Sequence, residues 1–335
     1  MLYVDNGPNY SASVNIALET YLVENRLVDE PILLFYINKP SIIIGRNQNT
    51  IEEVNQPYID EHGIEVVRRM SGGGAVYHDL GNVSFCFIKD DDGSFRDFAS
   101  FTKPVIEALH KMGATGAELQ GRNDLLIDGK KFSGNAMYAK DGRMTAHGTL
   151  LFNADLDEVN NALKPRIEKI ESKGIKSVRS RVTNIRPYVN PEYQNLTIEE
   201  FRDRLLLEIF GVTSKDQVPQ YVLTEEDWAA VEKIRQERFG NWDWNYGQSP
   251  AYDFEKHHKF PFGLVDFRFN VKDGKVAAAK IYGDFFGLGE IKDVEDALVG
   301  TKFTRADFQA VLDTIDVNKY FGRVTAQELL DMLFA

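Results

Sequence analysis

Val66-Val67-Arg68-Arg69-Met70-Ser71-Gly72-Gly73-Gly74-Ala75-Val76-Tyr77-His78-Asp79 opens with an apolar, β-branched run, delivers two arginines, and then sets a serine before three glycines. Ala75, Val76 and Tyr77 resume an extended pattern, so the order predicted is strand, glycine loop, strand. Three adjacent glycines lose much backbone entropy on folding; they are placed where φ must be positive or where something must touch bare backbone. Consecutive amide groups in such a loop can form an anion-binding concavity, and a guanidinium upstream fits phosphate oxygens. The alternative is a glycine-rich turn between two strands. No Gly-Lys-Ser/Thr follows, as a P-loop requires, and the Gly-x-Gly-x-x-Gly spacing of a dinucleotide fold is missing.

A second stretch carries opposed charges. Gly121-Arg122-Asn123-Asp124-Leu125-Leu126-Ile127 and Lys130-Lys131-Phe132-Ser133-Gly134 flank Asp128-Gly129, a two-residue hairpin signal. That turn brings Asp124 and Lys131 near one another across two strands. A lysine can bind a carboxylate and an α-phosphate as their charges converge, while an aspartate can hold Mg²⁺ or orient an incoming amine. A cross-strand surface ion pair is the competing reading.

Outward from these stretches, residues 11 to 26 are predicted as an amphipathic helix with Ser11 or Ser13 as N-cap. Pro31 to Tyr36 and Ile42 to Ile44 read as strands joined at Asn38-Lys39-Pro40, the second leading to Arg46 at a polar tip. Asp79-Leu80-Gly81-Asn82 interrupts residues 75 to 88 and predicts a hairpin there. Another hairpin is expected around Asp141-Gly142, with His147 on its return strand; a lone histidine is more often structural than catalytic. Helices are expected at Phe98 to Met112, Thr197 to Phe210 and Leu223 to Phe239. The fold class is α+β: a mixed or antiparallel sheet domain over 1–246, and a smaller α+β domain over 247–335 built on a hairpin around Asp273-Gly274.

With 335 residues and a formal net charge of −12, the chain lacks the basic footprint of a general nucleic-acid binder. No apolar run approaches a membrane span and the first residues show no signal peptide, so the cytoplasm is expected, with neither membrane nor nucleic acid as partner. The single cysteine, Cys86, lies in an apolar strand and excludes an intramolecular disulfide. Between Lys164 and Arg186 eight basic residues face two acidic ones. That stretch is expected to be a loop, either solvated or serving as a lid or a landing surface for an acidic protein.

Five blocks, in order, resemble the lipoate-protein ligase A family, relatives of the biotin-protein ligases: Arg69 to Asp79, Gly121 to Leu125, Asp128 to Gly134, His147 to Leu151, and Lys173 to Val182. The resemblance implies a catalytic domain of the biotin/lipoate ligase type followed by an accessory domain. It implies activation of lipoate by ATP with Mg²⁺ to lipoyl-AMP, then transfer to a lysine of an acceptor protein. The acceptors implied are the lipoyl domains of 2-oxoacid dehydrogenase E2 subunits and the glycine cleavage H protein. Carried onto matching positions, Arg69, Ser71, Gly73, Gly74, Ala75, Val76, Tyr77, Asn123 and Lys131 would hold the nucleotide. Arg69, Gly74, Lys131, Gly134, His147 and Gly148 would hold lipoate. Lys131 and Asp124 would be catalytic, with Asp124 also the candidate metal ligand. Two alternatives stay open: an ATP-independent octanoyl or lipoyl acyltransferase of the same superfold, working through a cysteine thioester, and a non-catalytic protein binding an acyl-adenylate or an acyl carrier.

Overall fold

The structure, a computed structural model, describes residues 1–163, 181–246, 254–272 and 274–334. Most of the basic stretch, residues 164–180, lies outside the described residues, and so does the lid or landing surface expected there. Compactness divides the chain into two units. The first comprises Met1–Ile44, Ile51–Arg69 and Ala75–Asn245; the second comprises Gly45–Thr50, Met70–Gly74 and Tyr246–Ala335. Two short internal segments, one holding Ser71 and the glycines, therefore group with the C-terminal part of the chain.

Among the described residues the first unit is built on an eight-stranded sheet. Its strands are β1 (Leu2–Asp5), β2 (Ile32–Tyr36), β6 (Asn82–Asp90), β7 (Glu118–Gln120), β8 (Asp124–Ile127), β9 (Lys130–Lys140), β10 (Arg143–Leu151) and β11 (Gln220–Tyr221), in the order β11-β1-β2-β6-β10-β9-β8-β7. A smaller sheet joins β3 (Ser41–Ile44), β4 (Glu65–Arg68) and β5 (Val76–His78) in the order β4-β3-β5. Parallel and antiparallel pairs are mixed in both. The hairpins expected at Asp128-Gly129 and Asp141-Gly142 form, with both central residues of each turn at positive φ. That geometry favours Asp-Gly.

The hairpin expected across Asp79–Asn82 does not form. Strand β5 pairs with β3 in the small sheet, whereas β6 pairs with β2 and β10 in the large one. The turn at Lys39-Pro40 likewise carries the chain from one sheet to the other. Turn chemistry announces a reversal; long-range packing chooses the partner strand.

The first helix, α1 (Ala12–Glu24), buries eleven of its thirteen residues, so it is a core helix rather than an amphipathic one. Ser11 makes no side-chain cap to it. The Glu65 carboxylate at the start of β4 instead accepts from the amides of Ala12 and Ser13 at 3.0 Å each. A carboxylate there satisfies orphan donors and suits the positive end of the helix dipole. With α1 packed on β4, β6, β9 and β10, one face of the large sheet is covered by a helix carrying Asn15 and Glu19.

The second unit pairs β12 (Phe254–Phe260), β13 (Gly263–Lys272) and β14 (Lys275–Gly283) antiparallel, with helices at Ile291–Leu298, Arg305–Leu312, Val317–Phe321 and Ala326–Phe334. Phe267, Phe269, Phe285, Phe308 and Phe321 form the centre of its core. Gly72 belongs to this packing: a Cβ there would come within 2.2 Å of the Phe285 carbonyl oxygen. Gly73 adopts φ 94°, open to glycine at little cost. Part of the reason for these glycines is therefore close backbone approach inside the second unit.

Candidate active site

On the β8–β9 hairpin, Lys131 Nζ lies 2.8 Å from Asp124 Oδ1. A bulge between Leu125 and Leu126 brings Asp124 opposite Gly134. Lys131 crosses the space over that glycine; a Cβ on Gly134 would sit 3.0 Å from its Nζ. The ammonium thus passes close over the bare backbone of Gly134 on its way to the carboxylate. Both side chains keep near two-fifths of their surface, 38% and 40%, open to solvent, which leaves the pair accessible to a ligand. Behind it, the Lys131 carbonyl accepts from the Thr183 amide at 2.9 Å.

Asn123, nominated for the nucleotide, spends its side chain locally: Nδ2 donates to the Asn135 carbonyl at 2.5 Å. It braces the start of the hairpin. Gly148 lies on the sheet face opposite His147, where a Cβ would strike Asn135 Oδ1 at 2.0 Å and the Phe85 ring at 2.7 Å. Val76 and Tyr77 lie on β5, directly after Ala75. Tyr77 borders an open hollow of about 560 Å³ shared with Asp79, Leu80, Phe152, Asp155 and Glu158. Ser71, Gly73 and Gly74 belong to the second unit, as does Arg46, which pairs with Glu290.

The two arginines ahead of the glycines part ways. Arg68 turns to a one-turn helix, Trp242–Asn245: its amide donates to Asn245 Oδ1 at 2.9 Å, its Nε donates to the Trp244 carbonyl at 3.0 Å, and its carbonyl accepts from Trp244 Nε1 at 2.8 Å. Arg69 turns inward, donating to the Ile43 carbonyl at 3.1 Å. Burial lowers its guanidinium to about 10, against the pull of Tyr36 and Glu19 nearby.

That interior contains a second charged group that sequence reasoning only half saw. His147 Nδ1 lies 2.5 Å from Glu19 Oε1, and the Tyr36 hydroxyl donates to Glu19 Oε2 at 3.2 Å. Glu19 comes from α1, Tyr36 from β2 and His147 from β10, so no local spacing links them. Ala136 stands opposite His147 in the β9–β10 register and shares the face of Gly134 and Lys131. From Lys131 to that level the strand climbs about 15 Å. One sheet face thus carries an accessible cation at one end and a buried polar group at the other.

Cys86 is fully buried, its sulfur 2.9 Å from Thr145 Oγ1, and burial with Glu19 alongside pushes its thiol well above the usual range. A thiol so placed is a poor nucleophile. In the second unit Glu255, His257 and Asp266 approach one another, but Arg268 already lies 2.8 Å from Asp266 and 3.9 Å from Glu255.

Residues 11–210 match the Lipoyl protein ligase A/B catalytic domain, and residues 249–333 match the Bacterial lipoate protein ligase C-terminus. The chain belongs to this lipoate-protein ligase family. Among relatives, it is 49% identical over 335 residues to lipoate-protein ligase LplJ of Bacillus subtilis, covering 100% of both chains. It is 50% identical over 334 residues to lipoate–protein ligase 1 of Staphylococcus aureus, covering 99% of this chain and 100% of that one. Among solved structures, P. falciparum LipL1 in complex with lipoate superposes with TM-score 0.80 at 27% identity, over 98% of this chain and 97% of that one. A lipoate-protein ligase A bound with ATP superposes with TM-score 0.57 at 25% identity, over 74% and 97%.

Proposed function

We propose that the protein activates lipoate with ATP and transfers the lipoyl group to a lysine of an acceptor protein. The observation that carries this reading is the accessible Lys131–Asp124 pair. In the first step the lipoate carboxylate attacks the α-phosphorus, and pyrophosphate leaves. Negative charge gathers between carboxylate and phosphate, where Lys131 stabilises it. In the second step a neutral acceptor amine attacks the mixed anhydride, the amide forms and AMP leaves; Asp124 would orient that amine or accept its proton, a role with which metal binding competes.

Arg69, Ser71, Gly73, Gly74, Ala75, Val76, Tyr77 and Asn123 are assigned to nucleotide binding, and Arg69, Gly74, Gly134, His147 and Gly148 to the acyl group. Asp124 is a single part-exposed carboxylate with one oxygen held by Lys131, so Mg²⁺ there would take the place of that ion pair and keep most of its waters and phosphate ligands. Mg²⁺ at Asp124 would neutralise phosphate charge. Lipoyl domains of E2 subunits and the glycine cleavage H protein are the proposed acceptors, met in the cytoplasm; no described helix is long and apolar enough to cross a membrane.

The test is lipoate-dependent exchange of labelled pyrophosphate into ATP without an acceptor. Exchange that disappears in Lys131→Ala is the expected result. Exchange unaffected by that change would remove Lys131 from the chemistry, and a protein that only binds acyl-adenylate would show none at all.

A further inference from the structure

Arg46 stands at the tip that follows β3, and neither step of the proposed reaction uses it. Three backbone segments of the second unit meet around it. The Arg46 amide donates to the Ser71 carbonyl at 2.9 Å, and the Asn47 carbonyl accepts from the Gly283 amide at 2.7 Å. A Cβ on Gly45 would come within 1.9 Å of the Gly73 carbonyl oxygen, as one on Gly72 would of the Phe285 carbonyl oxygen at 2.2 Å. Gln48 closes the tip on itself, its Oε1 accepting from the Gly45 amide at 2.9 Å. Backbone contacts, rather than the arginine side chain, therefore fix this tip against the glycine loop.

The side chain itself is held by partners of unequal strength. Arg46 Nη1 donates to Met70 Sδ at 3.5 Å, and Nη2 pairs with the Glu290 carboxylate. A thioether is a weak acceptor, whereas Glu290 brings a full charge. Glu290 is the N-cap residue of the helix Ile291–Leu298, yet its side chain caps no amide of that helix. Its side chain is 58% exposed against 24% for Arg46, so the carboxylate can turn into water while the guanidinium stays beside the loop. Ion pairs screened in this way are weak. Glu290 is a counterion that another anion can displace.

Resting on the ligase reading, we infer that Arg46 binds the β,γ-phosphates of ATP, the part that leaves as pyrophosphate, and exchanges Glu290 for them. The α-phosphate has Lys131 to answer its charge in both steps. The β- and γ-phosphates carry most of the negative charge of ATP, and Arg69 is turned inward to the Ile43 carbonyl. A guanidinium presents a planar fork of donors that fits phosphate oxygens, and Arg46 holds one next to Ser71 of the loop assigned to the nucleotide. When pyrophosphate departs, Glu290 returns to Arg46 and competes with its rebinding. One surface carboxylate thereby lets the site hold a polyphosphate and still release it.

The experiment measures the KM for ATP, and inhibition by inorganic pyrophosphate and by AMP, in lipoate-dependent adenylation by the unaltered protein, Arg46→Ala and Glu290→Gln. In Arg46→Ala the KM for ATP and the inhibition constant of pyrophosphate should rise about tenfold or more, and that of AMP less than about twofold. Glu290→Gln removes the competing charge and should tighten pyrophosphate about two- to fivefold. Equal shifts for pyrophosphate and AMP, or no shift in either, would overturn the inference. Should Arg46→Ala fold poorly, Glu290→Gln decides alone, because it alters an exposed side chain: pyrophosphate binding that is unchanged or weaker would overturn the exchange of anions. Absence of lipoate-dependent pyrophosphate exchange in the unaltered protein would instead overturn the ligase reading itself.

Discussion

The two charged groups on one face of the large sheet differ in nearly every physical respect. Lys131 and Asp124 sit on a local hairpin, half open to solvent, seven residues apart in sequence. Glu19 and His147 are 128 residues apart and almost wholly enclosed, in a group that Arg69, His78 and Tyr36 join. Water screens the first pair, so it contributes little to stability and its charges stay available to a ligand. The second group has given up its hydration, so each member depends on the others. One group keeps its charge available to solvent and ligands, and the other is held by its neighbours.

That contrast can be broken experimentally, beginning with the largest effect. Glu19→Ala should destabilise the protein by about 3–5 kcal/mol, because it leaves Arg69 and His147 without their buried carboxylate. Denaturant unfolding would measure it, and a loss below about 1 kcal/mol would mean that water reaches the cluster. Lys131→Ala should cost about 3–4 kcal/mol in the transition state, a hundredfold or more in pyrophosphate exchange, while leaving the unfolding midpoint almost unchanged.

A pH series sharpens the comparison. His78 has a folded-state titration near 3, well below its ordinary value, so the unfolded chain binds its proton first as pH falls. The stability that depends on this neutral ring is intact above about 6.5 and declines by about 1.4 kcal/mol per pH unit down to about 3. Acid unfolding of His78→Leu, followed from the same starting pH, should show a correspondingly shallower decline. At the other pole, Asp124→Asn should change stability by less than about 1 kcal/mol, because the pair it breaks is solvated. A larger loss would mean that the hairpin leans on this ion pair.

How much of this could be read beforehand follows the same division. The Lys131–Asp124 pair was legible because a two-residue Asp-Gly turn sets the register of its own flanking strands. His147 was noticed, but not its partner, since nothing in the spacing of α1 points to β10. Arg68 and Arg69 look alike in sequence, yet one holds the helix at Trp242–Asn245 and the other enters the core. Alternation along a strand sends neighbours to opposite sides; which side holds the site is a tertiary matter. Glu65 as the cap of α1, and β5 and β6 in separate sheets, were equally out of reach for local pattern. Both are decided by contacts between elements that the chain brings together only on folding.

Sequence by itself determined the Asp-Gly turns, the strand periods and the meeting of Lys131 with Asp124, all of which depend on neighbours within about ten positions. Only the tertiary structure decided which charges lose their water. Lodging α1 against the large sheet encloses Glu19 with His147, and a row of asparagines from Asn6 to Asn38 reaches the buried His78. Desolvation is a property of everything packed around a group, and no stretch of sequence contains it.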